Sequence, residues 1–368
     1  MRGTGNMMPQ FIGDPTRIKS LNRELHPHRS NLAITGDAMR RRTALGLIAG
    51  GLLSWLYGGH LQSAERIRTV GVLIALSASD PEIPRRVAAF EMGLRDLGWM
   101  PGRSIEIQYR FGIDSNELQR AARELVATAP DVIVVSSSLA MFALLRETST
   151  APVVFVTSAD PVGDGFVDSL ARPSRNATGF TNSVSSMSGK WVELLKQAAP
   201  SLKRIGIIFN PNTAPSKGTY FLPSFEATAR LNALTPSAIP VRTPEEIVSA
   251  LSAFGREAGS GLIVMPDNFT SLHRHLIIAQ AARQRMPAIY PFRYFALDGG
   301  LMSYGADLID LYRRTGSYVD RILRGAKVID LPVQAPTKFS FVVNLNAANA
   351  LGLTLPRNML ARADEVIE

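Results

Sequence analysis

Residues 132–156, VIVVSSSLAMFALLRETSTAPVVFV, hold the fold in miniature. The run 132–135 is four β-branched residues with no polar position, a strand that has no solvent face and needs cover on both sides. Ser136, Ser137 and Ser138 end it, residues 139–147 read as an apolar helix, and 153–156 is a second strand of the same kind. Two fully buried strands joined through a helix are a parallel pair with a crossover, the unit of a doubly wound α/β sheet.

The same alternation extends in both directions. Residues 69–76 (TVGVLIAL) form a continuous apolar run, 84–98 an amphipathic helix with Val87, Phe90, Leu94 and Leu97 at helical spacing, 105–110 a strand, and 116–129 a helix. After Asn176-Ala177-Thr178-Gly179 the pattern restarts, with helices expected at 189–199, 220–232, 244–254 and 272–285 and strands at 205–209, 262–265 and 288–290. Two such runs predict two α/β lobes with parallel sheets, linked first near residues 175–185.

The chain has 368 residues, 46% of them hydrophobic, enough to bury the cores of two domains. It contains no apolar run of eighteen residues. The segment 43–57 (TALGLIAGGLLSWLY) follows Arg40-Arg41-Arg42 and leads to small residues at Ser63-Ala64, the layout of a signal peptide spanning 39–64. Residues 1–38 read as a non-native extension, with Met39 as the start, and the route of export, Sec or twin-arginine, stays open. Excluding the first 64 residues lowers the net charge from +9 to +4, which removes the argument for a nucleic-acid partner. With no cysteine, disulfides, thiolate catalysis and a lipobox anchor are excluded.

Open parallel sheets bind ligands at the carboxyl ends of their strands. Here those ends are small and polar: Ser77, Ser136, Ser137, Ser138, Thr157 and Asp160 in the first half, Asn210, Asp267 and Asn268 in the second. The same residue types cap helices, so each has a structural explanation, but their recurrence at five strand ends points to a cleft. Catalysis finds less support. His273 and His275 lie two apart on an expected helix and face different ways, so they form no joint metal site. No Gly-x-Ser-x-Gly, Walker A or dinucleotide fingerprint is present, and the expectation is a binding protein with no catalytic residue, cofactor or metal.

Four blocks, FVTSADPVGDGFVDSLARPSRNATGFT (155–181), LKQAAPSLKRIGIIFNPN (195–212), the stretch from DGGLMSYGADLIDLYRRTG to FVVNLNAANALGL (298–353) and PRNMLARADEVIE (356–368), closely resemble the ABC-transporter substrate-binding proteins whose best-understood members bind aromatic amino acids. The resemblance covers residues 67–368 and departs at Pro173-Ser174-Arg175-Asn176, where the family usually has Pro-Gly-Gly-Asn. It implies a type I periplasmic-binding-protein fold, two Rossmann-like lobes joined by a three-stranded hinge around one small ligand. It further implies a monomer in the periplasm that delivers its ligand to a membrane permease.

On that basis residues 67–179 with 304–331 are expected to form lobe 1, and 180–303 with 332–368 lobe 2. Gly299-Gly300 would mark a crossing between lobes, 301–304 a hinge strand, and Tyr290 and Tyr304 would lie near the cleft. If the ligand is an amino acid, its carboxylate is expected at Ser136, Ser137 and Ser138, where a helix begins, and its ammonium opposite Asp267 or Asp307. The rival readings are a ligand-sensing regulator, which would need a helix-turn-helix where the signal-like run stands, and an α/β enzyme.

Overall fold

The computed structural model describes residues 66–173 and 175–368. The extension, the signal segment with its cleavage point near Ser63-Ala64, and Ser174 of the departing turn lie outside the described residues. Among the described residues no helix is long and apolar enough to cross a membrane.

β1 (Arg68–Ile74), α1 (Glu82–Arg95), β2 (Ile105–Phe111), α2 (Ser115–Ala127), β3 (Val132–Ser136), α3 (Ser138–Glu147), β4 (Val153–Ser158) and β5 (Ala177–Thr181) alternate along the first part of the chain. The strands form a wholly parallel sheet in the order β2-β1-β3-β4-β5. Every residue of β3 is buried, because helices cover both faces. Leu118 and Leu125 of α2 and Met141 and Leu144 of α3 pack with Ile133, Val135 and Phe155 on one side, while Phe90 and Leu94 of α1 pack with Val70, Val72 and Val134 on the other.

The chain then enters a second layer through α4 (Met187–Ala198), β6 (Arg204–Phe209), α5 (Leu222–Leu231), β7 (Thr235–Pro240), α6 (Pro244–Gly255), β8 (Ser260–Val264), α7 (Asn268–Leu272), α8 (Arg274–Arg283), β9 (Ala288–Tyr290), α9 (Arg293–Leu297) and β10 (Met302–Ala306). It recrosses to lay α10 (Leu308–Leu323) on the first sheet, where Leu311, Tyr312 and Val319 join the cluster of α1. It returns through β11 (Phe339–Asn344), α11 (Leu345–Ala350), α12 (Arg357–Leu360) and β12 (Glu365–Ile367). The second sheet runs β12-β11-β10-β9-β8-β6-β7, parallel except where β10 meets β11.

Three connections therefore pass between the sheets: residues 182–186, Asp307, and residues 335–338. The third leaves from the edge of the first sheet, where the Gln334 N–H donates to the Gly179 carbonyl at 2.9 Å.

Several local expectations change. The helix expected at 272–285 runs from Arg274 to Arg283, preceded by the short α7 that ends at Leu272, the two separated at His273, whose backbone (φ −97°, ψ 21°) is outside the helical well. β7, TPSAIP, was hidden by its two prolines, which a strand tolerates at a sheet edge, the position it holds. β10 reaches Ala306 within the second sheet, so the chain changes lobes at Asp307 and not at Tyr304.

Gly299 and Gly300 are no crossing. Gly299 (φ +102°) ends α9, and a Cβ on Gly300 would stand 2.6 Å from Cε2 of Tyr290. Gly300 makes room for that ring inside the second lobe, while Gly299 supplies the positive φ of the helix end.

Candidate functional site

The ends of the two sheets face each other across a narrow cleft, with about 60 Å³ of enclosed space between the lobes as they stand in this structure. Its lining comes from both lobes. Ala75 and Leu76 follow β1, Ser136, Ser137 and Ser138 join β3 to α3, and Thr157 and Ala159 end β4. Thr213 and Pro215 follow β6, Pro266, Asp267, Asn268 and Ser271 follow β8, and Phe292 and Tyr294 precede and enter α9.

Two lining residues of the first lobe hold a backbone conformation that non-glycine residues rarely adopt. Ser137 has φ 88° and Thr157 φ 66°. At Thr157 the pairing of β4 with β5 slips by a residue, a bulge that leaves Thr157 out of the ladder. Such strain persists only where the surroundings over-determine it, and it gathers at ligand sites.

The serine hydroxyls are already engaged. Ser136 Oγ accepts from the Tyr312 hydroxyl at 2.6 Å and lies 3.3 Å from Thr157 Oγ1. Ser137 Oγ caps α3 by accepting from the Ala140 N–H, and Ser138 donates to Asp164 at 2.9 Å.

In the second lobe Asp267 is buried and caps α7. Its carboxylate accepts from the Thr270 N–H at 2.7 Å, the Asn210 N–H at 3.0 Å and the Thr213 hydroxyl at 3.3 Å. Desolvation outweighs those donors and pushes its pKa up to about 6. Asn268 reaches across the cleft, its Nδ2 donating to the Ala75 carbonyl at 3.0 Å.

Of the expected site residues, the cleft thus gathers Ser136, Ser137, Ser138, Thr157, Asp267 and Asn268. The others fall elsewhere. Ser77 is exposed and bonded to Ser79, and Asn210 stands behind Asp267. Asp160 accepts from the Ser216 hydroxyl at 2.5 Å, a second bond between the lobes but away from the lining. Tyr290 is buried with its ring stacked on Phe295 at 5.2 Å. Tyr304 stacks on Phe339 at 5.9 Å, and Asp307 caps α10 through the N–H groups of Ile309 and Asp310.

Arg86, Asn182, Phe292 and Tyr294 were missed as site residues. Arg86 is 5% exposed and lines the cleft, its guanidinium 5.6 Å from the ring centre of Tyr294 and 5.8 Å from that of Tyr312. Its position was legible: Arg86 stands four residues before Phe90, on the apolar stripe of α1, where a charge is out of place unless it has a task.

The profile of a family described as ABC transporter substrate binding protein matches residues 70–367. A tyrosine-binding protein of Clostridioides difficile (strain R20291) is 26% identical over 274 residues, 74% of this chain and 78% of that one. The crystal structure titled as the ABC domain in complex with L-Trp from Streptococcus pneumonia superposes with a TM-score of 0.75 at 26% identity, covering 82% of this chain and 99% of the other. A conserved domain protein from Vibrio cholerae o1 biovar eltor also gives a TM-score of 0.75, at 25% identity and with 82% and 100% covered.

Proposed function

Because the chain belongs to the ABC transporter substrate-binding protein family, we propose that it captures a free amino acid, aromatic ones foremost, outside the cytoplasm and hands it to a membrane permease. The observation that carries this reading is the cleft itself, built from strand ends of both sheets and bridged by Asn268, so that an enclosed ligand touches both lobes. A ligand with more contacts in the closed arrangement shifts the population towards it, and a permease can read the closed form.

The family is one of extracytoplasmic solute-binding proteins, and its members work with ABC permeases. Export through the 39–64 segment, a monomeric state, the absence of a nucleic-acid partner and the absence of chemistry on the ligand are further parts of the proposal. A tyrosine-binding relative and a tryptophan-bound neighbour support the aromatic class, and Phe292 and Tyr294, stacked at 5.6 Å in the lining, offer rings for an aromatic side chain to pack on.

Mass spectrometry of the small molecule released on denaturing the purified protein tests this. The expected finding is one amino acid at up to one per chain, which rebinds in titration calorimetry. Release of a sugar or nucleotide, with no heat from any of the twenty amino acids, would overturn the ligand class.

A further inference from the structure

We propose that Arg86 is the anion anchor of the cleft, holding the carboxylate of the ligand by its guanidinium. The proposal rests on the amino-acid reading above and moves the carboxylate away from the three serines.

Arg86 is a buried cation with no direct ion pair among the described residues. Its Nε has no hydrogen-bond partner, and the nearest opposing charge to act on it, Glu82 one turn earlier on α1, does so without an ion-pair contact. An arginine inside a protein is always charged, and burying it unpaired is costly enough that such groups are normally matched. Every other buried arginine head in the neighbourhood is matched: Arg274 donates to Asp298 at 2.6 Å and to Asp80 at 2.9 Å. The rings of Tyr294 and Tyr312 flank the Arg86 guanidinium and supply attraction but accept few of its five N–H bonds. A planar fork left with a free donor in a cleft between two lobes fits the two oxygens of a carboxylate.

The serines are weaker candidates for that role. Ser138 has committed its proton to Asp164, whose carboxylate disfavours a second anion there, and Ser137, which accepts from the Ala140 N–H, keeps one neutral O–H to offer against the charged fork of Arg86. Ser136 instead supports the anchor, since it receives the Tyr312 hydroxyl and so fixes one of the flanking rings. Because Arg86 belongs to the first lobe and Tyr294 to the second, the anchor is completed only when the lobes meet.

The test compares wild type with R86Q and R86K, using L-tyrosine, tyramine and acetate as probes in calorimetry and thermal melts. For L-tyrosine, R86Q is expected to bind ~100-fold or more weakly, as when one partner of a buried charged pair is removed, with R86K intermediate. Tyramine, which lacks the carboxylate, should bind wild type and R86Q with equal weakness. Acetate at matched ionic strength should raise the melting temperature of the wild type and leave that of R86Q unmoved. Equal acetate responses in the two proteins, or L-tyrosine affinity retained in R86Q, would overturn the anchor. An Arg86-dependent acetate response together with no binding of any amino acid would instead overturn the amino-acid reading and leave the anchor standing. R86K guards against a folding defect, because it keeps the charge and the apolar stem.

Discussion

Asp267 has a structural role in the fold and, in the proposed function, a binding role beside it. Its carboxylate caps α7 and also receives Asn210 and Thr213, yet burial raises its pKa from 3.8 to about 6. The sign of the pH effect follows. The folded state disfavours the charged form, so stability from this group is greatest at low pH, falls as pH rises from 3.8 to about 6, and is flat above. The drop is on the order of 2–3 kcal/mol, and denaturant titrations at pH 4 and pH 7 should show it shrinking in D267N. An ammonium-bearing ligand favours the ionised form, so its affinity should rise from pH 5 to 7 and level off near 7; an affinity flat across that range would mean that Asp267 only caps. The residue type at a strand end was legible in the sequence. Its burial was not, because that depends on Asn210 and Thr213, more than fifty residues away. The packing of Tyr290 is hidden from the sequence for a related reason, since only the fold shows that Gly300 makes room for its ring.

At the scale of elements, the alternation of buried strands and amphipathic helices identified most of the architecture, and it missed what pattern cannot carry. β7 has no apolar run, α9 has only five residues, and the break at His273 leaves the periodicity of 272–285 nearly intact. The antiparallel pairing of β10 with β11 is equally silent in the local sequence. The packing of α10 on α1 rests on small residues that meet: a Cβ on Gly93 would lie 2.1 Å from the Arg313 carbonyl oxygen, and one on Gly316 2.7 Å from the carbonyl carbon of Gly93. Backbone cannot yield as a flexible side chain can, so G93A should separate the two helices and destabilise the protein by about 1–3 kcal/mol or more. Chemical denaturation measures this, and a neutral effect would contradict the close crossing. Because Arg86 stands on α1 and Tyr312 on α10, the same substitution should also weaken ligand binding.

At the scale of the described molecule, the two lobes are joined by bonds at the rims of the cleft and one within its lining. Arg274 of α8 pairs with Asp80 after β1, both nearly buried, and Asn268 reaches Ala75. On the other rim Ser216, in a left-handed conformation (φ 46°), donates its hydroxyl to Asp160 and its N–H to Asp164 at 3.0 Å. None of these partnerships could be paired from sequence, since each joins residues separated by dozens of positions and depends on how the lobes meet. They give closure its physical content: the ligand adds to a set of weak bonds already complementary across the cleft, and solvation of those groups favours opening when the ligand is absent. Hydrogen exchange followed by mass spectrometry, with and without the amino acid recovered from the purified protein, tests this most directly. The account predicts slowed exchange in both lobes at once, at residues 75–86, 136–141 and 265–274, with the edge strand β7 unchanged. Protection confined to one lobe, or absent at saturating ligand, would contradict capture between the two.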